Sequence, residues 1–310
     1  MALDASPLVI VHGGAGSAGP DDRALPGGAD ARLLGVESAA RGALHLLAEG
    51  GDALDAVEAA VRWLEDDPSF NAGTGACLTA VGDVELDASI MDGGTLRCGA
   101  VAAIGDVKNP IVLARQVMER SQHVLLAGPG ASAFARSIGI PPYDGARLVT
   151  ARQREYWERA RRAGPGAGIE ESPGAPSKGT VGAVARDVRG HLAAATSTGG
   201  MVMKRPGRIG DSAIIGCGTY ADDALAAVSC TGHGERIIQL TLARHCADLV
   251  GRGLSAMEAA REAVRELGAR VRGEGGLIVV APRGEVGFAH NTPIMARAWS
   301  RSDGAIVVER

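Results

Sequence analysis

Aromatic residues are scarce in this chain. Phe, Trp and Tyr make up only 3% of its 310 residues, while 46% are hydrophobic, so a sizeable core has to be assembled from Ala, Val, Leu and Ile. No run is apolar and long enough to span a membrane, and Met1-Ala2-Leu3-Asp4 does not lead from basic residues into an apolar segment, so neither a membrane span nor a secretory signal is expected. A net charge of −4 gives no electrostatic reason for nucleic acid. The five cysteines are odd in number, scattered and without a CxxC pair, and read as buried thiols of a reducing cytoplasm. Seven histidines without HExxH-type spacing speak against a transition-metal site.

Glycine, by contrast, is abundant: 45 residues without a collagen-like period imply tight turns and close backbone approaches rather than a helical bundle. Leu8 to Val11 reads as a buried strand that turns at His12-Gly13-Gly14-Ala15-Gly16. That loop lacks both GxGxxG spacing and a Lys-Ser/Thr pair, so phosphate binding is not its expected role. Helical periodicity runs from Asp30 to Glu49, stopped by Gly50-Gly51, and again from an Asp52 cap through Val57, Ala60, Val61 and Leu64 to Pro68. Ala76–Val81, Glu85–Ile90 and Cys98–Ile104 read as strands, Asn109-Pro110 as a capped helix start, and Val124–Ala127 as one more strand.

From Ala151 to about Lys178 no core pattern survives. Arg152, Arg154, Arg159, Arg161 and Arg162, mixed with Glu155 and Glu158, suggest an exposed helix, the acids weighing against a basic binding patch. The Pro/Gly/Ser-rich stretch that follows cannot repay its ordering entropy and reads as a flexible linker, so the whole segment 151–179 is expected to close the first part of the chain. The pattern restarts at Gly179-Thr180. Thr180–Arg186 and His191–Thr198 flank Asp187-Val188-Arg189-Gly190, a hairpin signal. Ser212–Gly218 and Ala226–Thr231 read as strands. A helix is expected from Gly232 to about Val250, a second from the capping box Ser255-Ala-Met-Glu258, and a last hairpin from Leu277–Val280 and Val286–Ala289. Strands and helices come in runs, which favours an α+β fold.

The break at Gly179-Thr180 carries the chemistry. A hairpin centred on Val188-Arg189 sets Thr180 opposite Ser197 and places Thr198 beside the Gly179–Thr180 bond. Attack of the Thr180 hydroxyl on the Gly179 carbonyl gives an ester by N-to-O shift, which water releases; Gly179 tolerates the strained backbone this needs. The product is an N-terminal threonine whose α-amine, with a reference pKa of about 7.7–8.0, can serve as base for its own hydroxyl. The plain alternative is a β-branched residue starting a strand. Arg208 and Asp211, three residues apart in Pro206-Gly-Arg-Ile-Gly-Asp211, suit a zwitterionic α-amino acid, or else form a surface ion pair. Thr231-Gly232, where a strand gives way to a helix, can offer a hydroxyl and an N–H to an oxyanion, or else cap the helix.

Together, Gly179-Thr-Val-Gly-Ala-Val-Ala185, Ala194-Ala-Thr-Ser-Thr-Gly-Gly-Met201, Pro206-Gly-Arg-Ile-Gly-Asp-Ser212 and Ser229-Cys-Thr-Gly-His-Gly-Glu235 resemble the plant-type asparaginases, or isoaspartyl peptidases, among the N-terminal-nucleophile hydrolases. Ile10-Val-His-Gly-Gly-Ala-Gly16, Phe70-Asn-Ala-Gly-Thr-Gly75, Leu86-Asp-Ala-Ser-Ile-Met-Asp-Gly93 and Gly99-Ala-Val-Ala102 extend the resemblance over nearly the whole chain.

The resemblance implies one domain over 1–310, a four-layer αββα sandwich, cut autocatalytically into an α subunit (1–179) and a β subunit (180–310) that pair again as an (αβ)2 heterotetramer. It implies a cytoplasmic threonine-type amidohydrolase acting on L-asparagine or β-aspartyl dipeptides and needing no catalytic cofactor. Thr180 would be the nucleophile, supported by Thr198. Thr231 and Gly232 would form the oxyanion hole, with Asn71 reaching in from the other subunit. Arg208 and Asp211 would hold the substrate's α-carboxylate and α-amine, with Gly234 lining the pocket. A structural sodium ion would sit on the backbone carbonyls of Leu64, Glu65, Asp67, Phe70, Ala72 and Thr74. His233, Met203 and His290 depart from the usual pattern around the pocket. A glycosylasparaginase shares the nucleophile and the Gly-Arg-x-Gly-Asp-Ser loop, but the Phe70-Asn-Ala-Gly run and the absent signal favour the asparaginase branch. A non-enzymatic reading is an uncleaved amino-acid-binding protein built on Arg208 and Asp211.

Overall fold

The computed structural model describes residues 6–16, 30–163 and 179–310. The first part runs through strand β1 (Leu8–Gly16), helices α1 (Ala31–Ala48) and α2 (Ala53–Asp66), strands β2 (Leu86–Asp92) and β3 (Cys98–Ile104), helix α3 (Pro110–Arg120), strand β4 (Leu125–Ala127), and helices α4 (Gly128–Ser137) and α5 (Ala151–Ala163). The second carries β5 (Val181–Arg186), β6 (Leu192–Thr198), β7 (Thr219–Asp222), β8 (Ala226–Gly232), helices α6 (Gly234–Leu240), α7 (Leu242–Gly251) and α8 (Ala256–Val271), and strands β9 (Gly275–Val280), β10 (Val286–His290), β11 (Ile294–Ser300) and β12 (Ile306–Glu309).

The fold is mixed α+β with two sheets. Eight strands form one in the order β12-β11-β1-β5-β6-β2-β3-β4, and four form the other in the order β10-β9-β8-β7. Helices α1, α2 and α3 contact strands of the larger sheet, α7 and α8 contact the smaller, β1 and β5 contact β8 and β9, and β6 contacts β7 and β8. The period-2 geometry of the central strands divides the core accordingly. On β5, Val181, Ala183 and Ala185 join a buried cluster with Val36, Val57 and Leu113 of the helices, while Val184 joins a second with Val228 and Val279 of the smaller sheet. Burial on both faces explains why these strands read as short apolar runs instead of alternating ones. Small side chains let the sheets approach: at Gly182 a Cβ would lie 2.0 Å from Ser229 Oγ.

Local signals decide most boundaries. Asp52 caps α2 by accepting from Asp55 N (2.7 Å), and Ser255 with Glu258 closes both bonds of its capping box at the start of α8. Elsewhere tertiary partners win. Strand β1 does not turn at His12; paired on both sides, it continues past an irregularity to Gly16 opposite Ile294. Ala76–Val81 makes only isolated bridges, Leu78 to Val84 and Thr79 to Lys204. Ser212–Gly218 is no strand: Ile214 N and Gly218 N both turn back to Asp211 O, and pairing begins at Thr219. The helix after Gly232 is two helices. Thr241 sits at φ 47°, and α7 restarts with Ala243 N and Arg244 N donating to Cys217 O and Gly216 O. Asn109 does not cap α3 with its side chain; Glu65 Oε1 accepts from Ile111 N instead (3.0 Å). The stretch expected as linker opens with α5, which buries Gln153 and donates from Trp157 Nε1 to Thr79 O (2.7 Å), while 164–178 lie outside the described residues.

The hairpin that opens the second part differs from expectation by one residue. Val181 pairs with Ser197 and Arg186 with Leu192, which places Thr180 level with Thr198 rather than Ser197. The cause is the turn. Val188, Arg189 and Gly190 form a three-residue connection, closed by Asp187 N to His191 O (3.0 Å) and Gly190 N to Asp187 O (3.0 Å), with Gly190 at φ 87°. The buried Asp187 Oδ1 also accepts from Arg189 N and His191 N (2.9 and 3.1 Å). A Cβ at Gly190 would meet only the Arg186 guanidinium, at an ordinary contact distance of 3.7 Å, so its cost is backbone strain alone. Gly190→Ala should therefore lose about 1–2 kcal/mol in urea unfolding, and Gly190→Asn should lose less because Asn visits the left-handed region more readily. An unchanged midpoint for Gly190→Ala would contradict this reading of the turn.

Candidate active site

Thr180 lies just before β5 and Thr198 ends β6, both on the face turned toward the smaller sheet. The Thr180 hydroxyl, 6% exposed, donates to Thr198 Oγ1 at 3.2 Å, and Gly200 N donates to the same oxygen at 2.9 Å. Ser197 points the other way, toward α2, as cross-strand registry requires. Asn71, in the loop after α2, braces the turn beyond Thr198. Its Nδ2 donates to Gly200 O (2.7 Å), its Oδ1 accepts from Cys77 N (2.7 Å), and its carbonyl accepts from Gly199 N (2.8 Å). A Cβ at Gly199 would lie 2.4 Å from Asn71 Oδ1, so only glycine fits there. Within this chain, then, segment 1–179 delivers Asn71 to the Thr198 turn with both ends of its amide engaged.

Thr231 is fully buried at the end of β8, and its Oγ1 accepts from Ala15 N at 3.2 Å. Gly232 holds φ 141°, and a Cβ there would lie 2.4 Å from Glu274 O, so the strand end also demands glycine. Arg208, Asp211 and Gly234 come together: a Cβ at Gly234 would lie 2.9 Å from both Arg208 Nη2 and Asp211 Oδ1. The missing side chain thus leaves room between a cation and an anion. Asp211 is 3% exposed and its Oδ2 has no hydrogen-bond partner among the described residues. Burial raises its carboxyl to about 7 although the nearby Arg208 charge opposes the rise. Arg208 meets the Glu235 carboxylate in a bidentate pair, from Nε at 2.9 Å and Nη2 at 2.8 Å.

Several groups at the site were not singled out by sequence reasoning. His12 is fully buried, and its Nε2 stands 3.0 Å from Ser229 Oγ. Ser229 Oγ in turn lies 2.7 Å from Thr196 Oγ1, which accepts from Thr219 (2.6 Å); Ser89 continues the chain to Thr219 Oγ1 (2.8 Å) and to Ser212 O (2.6 Å). Burial lowers His12 to about 3, against a backbone contact with Thr180 that raises it, so the ring is neutral at physiological pH. Nothing in residue type or spacing marked this chain of hydroxyls between the sheets; its only trace was the density of Ser and Thr in otherwise apolar runs.

The carbonyl loop after α2 folds inward around two glycines. Gly73 (φ 51°) lies so close to Glu65 O, and Gly75 (φ 95°) to Phe70 O, that a Cβ at either would sit 2.5 Å from the oxygen. Glu65 O and Asp67 O also accept from Thr74 N and Phe70 N. No cluster of His, Cys, Asp or Glu suited to a metal occurs among the described residues. Burial raises the Glu65 carboxyl to about 8, partly offset by the nearby Ser197 hydroxyl and by the Ile111 N–H from which Glu65 accepts. No helix among the described residues is long and apolar enough to cross a membrane.

A sequence-family model described as asparaginase matches residues 5–308. The chain is 45% identical to an isoaspartyl peptidase/L-asparaginase of Homo sapiens over 90% of its own length and 88% of the relative's. It is 45% identical to the protein of that name from Rattus norvegicus, covering 91% and 83% of the two chains. With a plant-type L-asparaginase of Pyrococcus abyssi it shares 46% identity over 94% and 96%. A match along almost its entire length, joined to the Thr180 and Arg208–Asp211 geometry, makes the chain a member of the asparaginase family of amidohydrolases.

Proposed function

We propose that the chain severs its own Gly179–Thr180 bond and that the freed Thr180 hydrolyses L-asparagine and β-aspartyl dipeptides, releasing L-aspartate. The 3.2 Å contact between the hydroxyls of Thr180 and Thr198 carries this reading. Because Gly200 N already donates to Thr198 Oγ1, the Thr198 proton can turn toward Thr180 Oγ1 as negative charge grows there.

In the mature site the α-amine of Thr180 takes the hydroxyl proton while the oxygen attacks the side-chain amide of the substrate. The Thr231 hydroxyl and the Gly232 N–H face the resulting oxyanion. Collapse expels ammonia, or the amine of a dipeptide, with the proton from the α-ammonium, leaving an aspartyl ester on Thr180. Water activated by the same amine then releases L-aspartate. A neutral buried His12 fits this scheme, since no imidazolium has to form. Asp211 Oδ2 is assigned to the substrate ammonium. Glu235 occupies two of the five Arg208 N–H donors, so the substrate carboxylate takes donors on the remaining edge.

Family membership and the contacts of the two sheets with their helices support a four-layer αββα arrangement. The resemblance adds an (αβ)2 assembly in the cytoplasm. A sodium ion on the carbonyls of Leu64, Glu65, Asp67, Phe70, Ala72 and Thr74 would stiffen the loop that carries Asn71; it supplies structure rather than chemistry.

Thr180→Ala is expected to stay a single chain by intact mass and to turn over neither L-asparagine nor β-aspartyl-leucine; turnover by that variant would remove Thr180 from the reaction. Wild-type kcat/KM should be higher for these two substrates than for a glycosylated asparagine, and the reverse order would mark a glycosylasparaginase. On the acid side two free-enzyme groups titrate together: Asp211, at about 7, must be ionised, and the Thr180 amine must be neutral. Protonation of either removes activity, so kcat/KM should fall as pH drops through about 7, more steeply than a single group allows. A flat profile between about pH 8 and pH 6 would contradict these assignments.

A further inference from the structure

We propose that Asp87 is a positioning residue that sets affinity for the α-amino-acid end of the substrate by fixing the loop of Arg208 and Asp211. The inference rests on the functional reading above and adds to it a residue that touches neither substrate nor nucleophile.

Asp87 is fully buried, and both of its carboxylate oxygens are spent on backbone: Oδ1 accepts from Ala103 N (2.9 Å) and Oδ2 from Gly210 N (3.0 Å). Gly210 N is the last amide before Asp211. Glu85, two residues back along the chain, accepts from Gly207 N with both oxygens, at 3.1 and 2.8 Å. Arg208 is therefore bracketed, its preceding amide tied to Glu85 and the amide two residues on tied to Asp87. Lys204, itself 5% exposed, donates from Nζ to Glu85 O (2.7 Å), and its charge interacts favourably with Asp87. Across the β2–β6 ladder, Asp87 pairs directly with Thr198. Asp87 thus joins the strand end of Thr198, through its backbone, to the loop of Arg208 and Asp211, through its side chain.

The surroundings show that this placement is maintained at a cost. A buried carboxylate is retained only where donors meet it. The β2–β3 ladder shifts register at Asp87, between Leu86 and Ala88, and the partner Ala103 holds φ 49°, a left-handed conformation unfavourable for a residue with a Cβ. Glu85 is more exposed and water can stand in for it; Asp87 has no such substitute.

Asp87→Asn tests the assignment, because it keeps the shape but turns an NH2 group toward one of the two backbone donors. Autocleavage should proceed to the wild-type extent and kcat should stay within about threefold, while KM for L-asparagine and the Kd for L-aspartate by calorimetry should each rise at least about tenfold, the factor expected for losing one charge-assisted hydrogen bond. Glu85→Gln should raise KM by less. Unchanged KM and Kd in Asp87→Asn would overturn the proposal. So would a fall in kcat and autocleavage with KM preserved, which would locate the effect at Thr198. Should the variant not fold, hydrogen exchange in the wild type decides: slow exchange at Gly210 N supports the anchor, and exchange as fast as an open loop overturns it. A wild-type protein that neither turns over L-asparagine nor binds L-aspartate would instead sink the functional reading.

Discussion

The 3.2 Å separation of the Thr180 and Thr198 hydroxyls depends on a turn at the opposite end of their hairpin. Three residues between Asp187 and His191, the last of them Gly190 in the left-handed region, set the register of β5 on β6. Two residues there would leave Ser197 opposite Thr180, and because side chains alternate between faces, the Thr198 hydroxyl would turn into the helix-side core. Gly182, Gly199 and Gly232 then let Ser229, Asn71 and Glu274 approach closer than any Cβ allows. The abundance of glycine and the scarcity of aromatics have one physical meaning here: two sheets and their loops are drawn close around a narrow polar seam.

That seam is electrostatically prepared before any substrate enters. Asp211 carries an oxygen without a partner among the described residues, and burial raises its carboxyl to about 7. Arg208 is held in shape by Glu235, which leaves part of its fork for a second carboxylate. His12 is buried deeply enough to remain neutral. The groups that would meet a zwitterion are thus in place, while under the proposed mechanism the base for Thr180 comes into being only when the Gly179–Thr180 bond is broken.

Much of this was legible from sequence because the signals were local. Asp52 and the Ser255/Glu258 box announced α2 and α8, and Asp187-Val188-Arg189-Gly190 announced a hairpin. Turn length was not legible, since the same four residues serve a two- or a three-residue connection. Arg208, Asp211 and Gly234 were named in advance, and the fold does cluster them; the roles of Asp87, Glu65, Glu235 and His12 depend on burial and distant backbone donors that no spacing records. Helix α4 was missed because Gly128-Pro129-Gly130 reads as a breaker. Strands β11 and β12 were missed because Arg297 and the polar ends interrupt their apolar pattern. Ser212–Gly218 failed the other way, its apolar residues closing a turn on Asp211 rather than pairing.

The most direct test of the dependence of activity on a free Thr180 amine is a maturation time course on freshly purified protein, with the fraction cut measured by mass spectrometry beside the rate of L-aspartate release. The rate should be proportional to the amount of chain beginning at Thr180 and extrapolate to zero at zero cleavage. A rate that is already full while the Gly179–Thr180 bond is intact would contradict it.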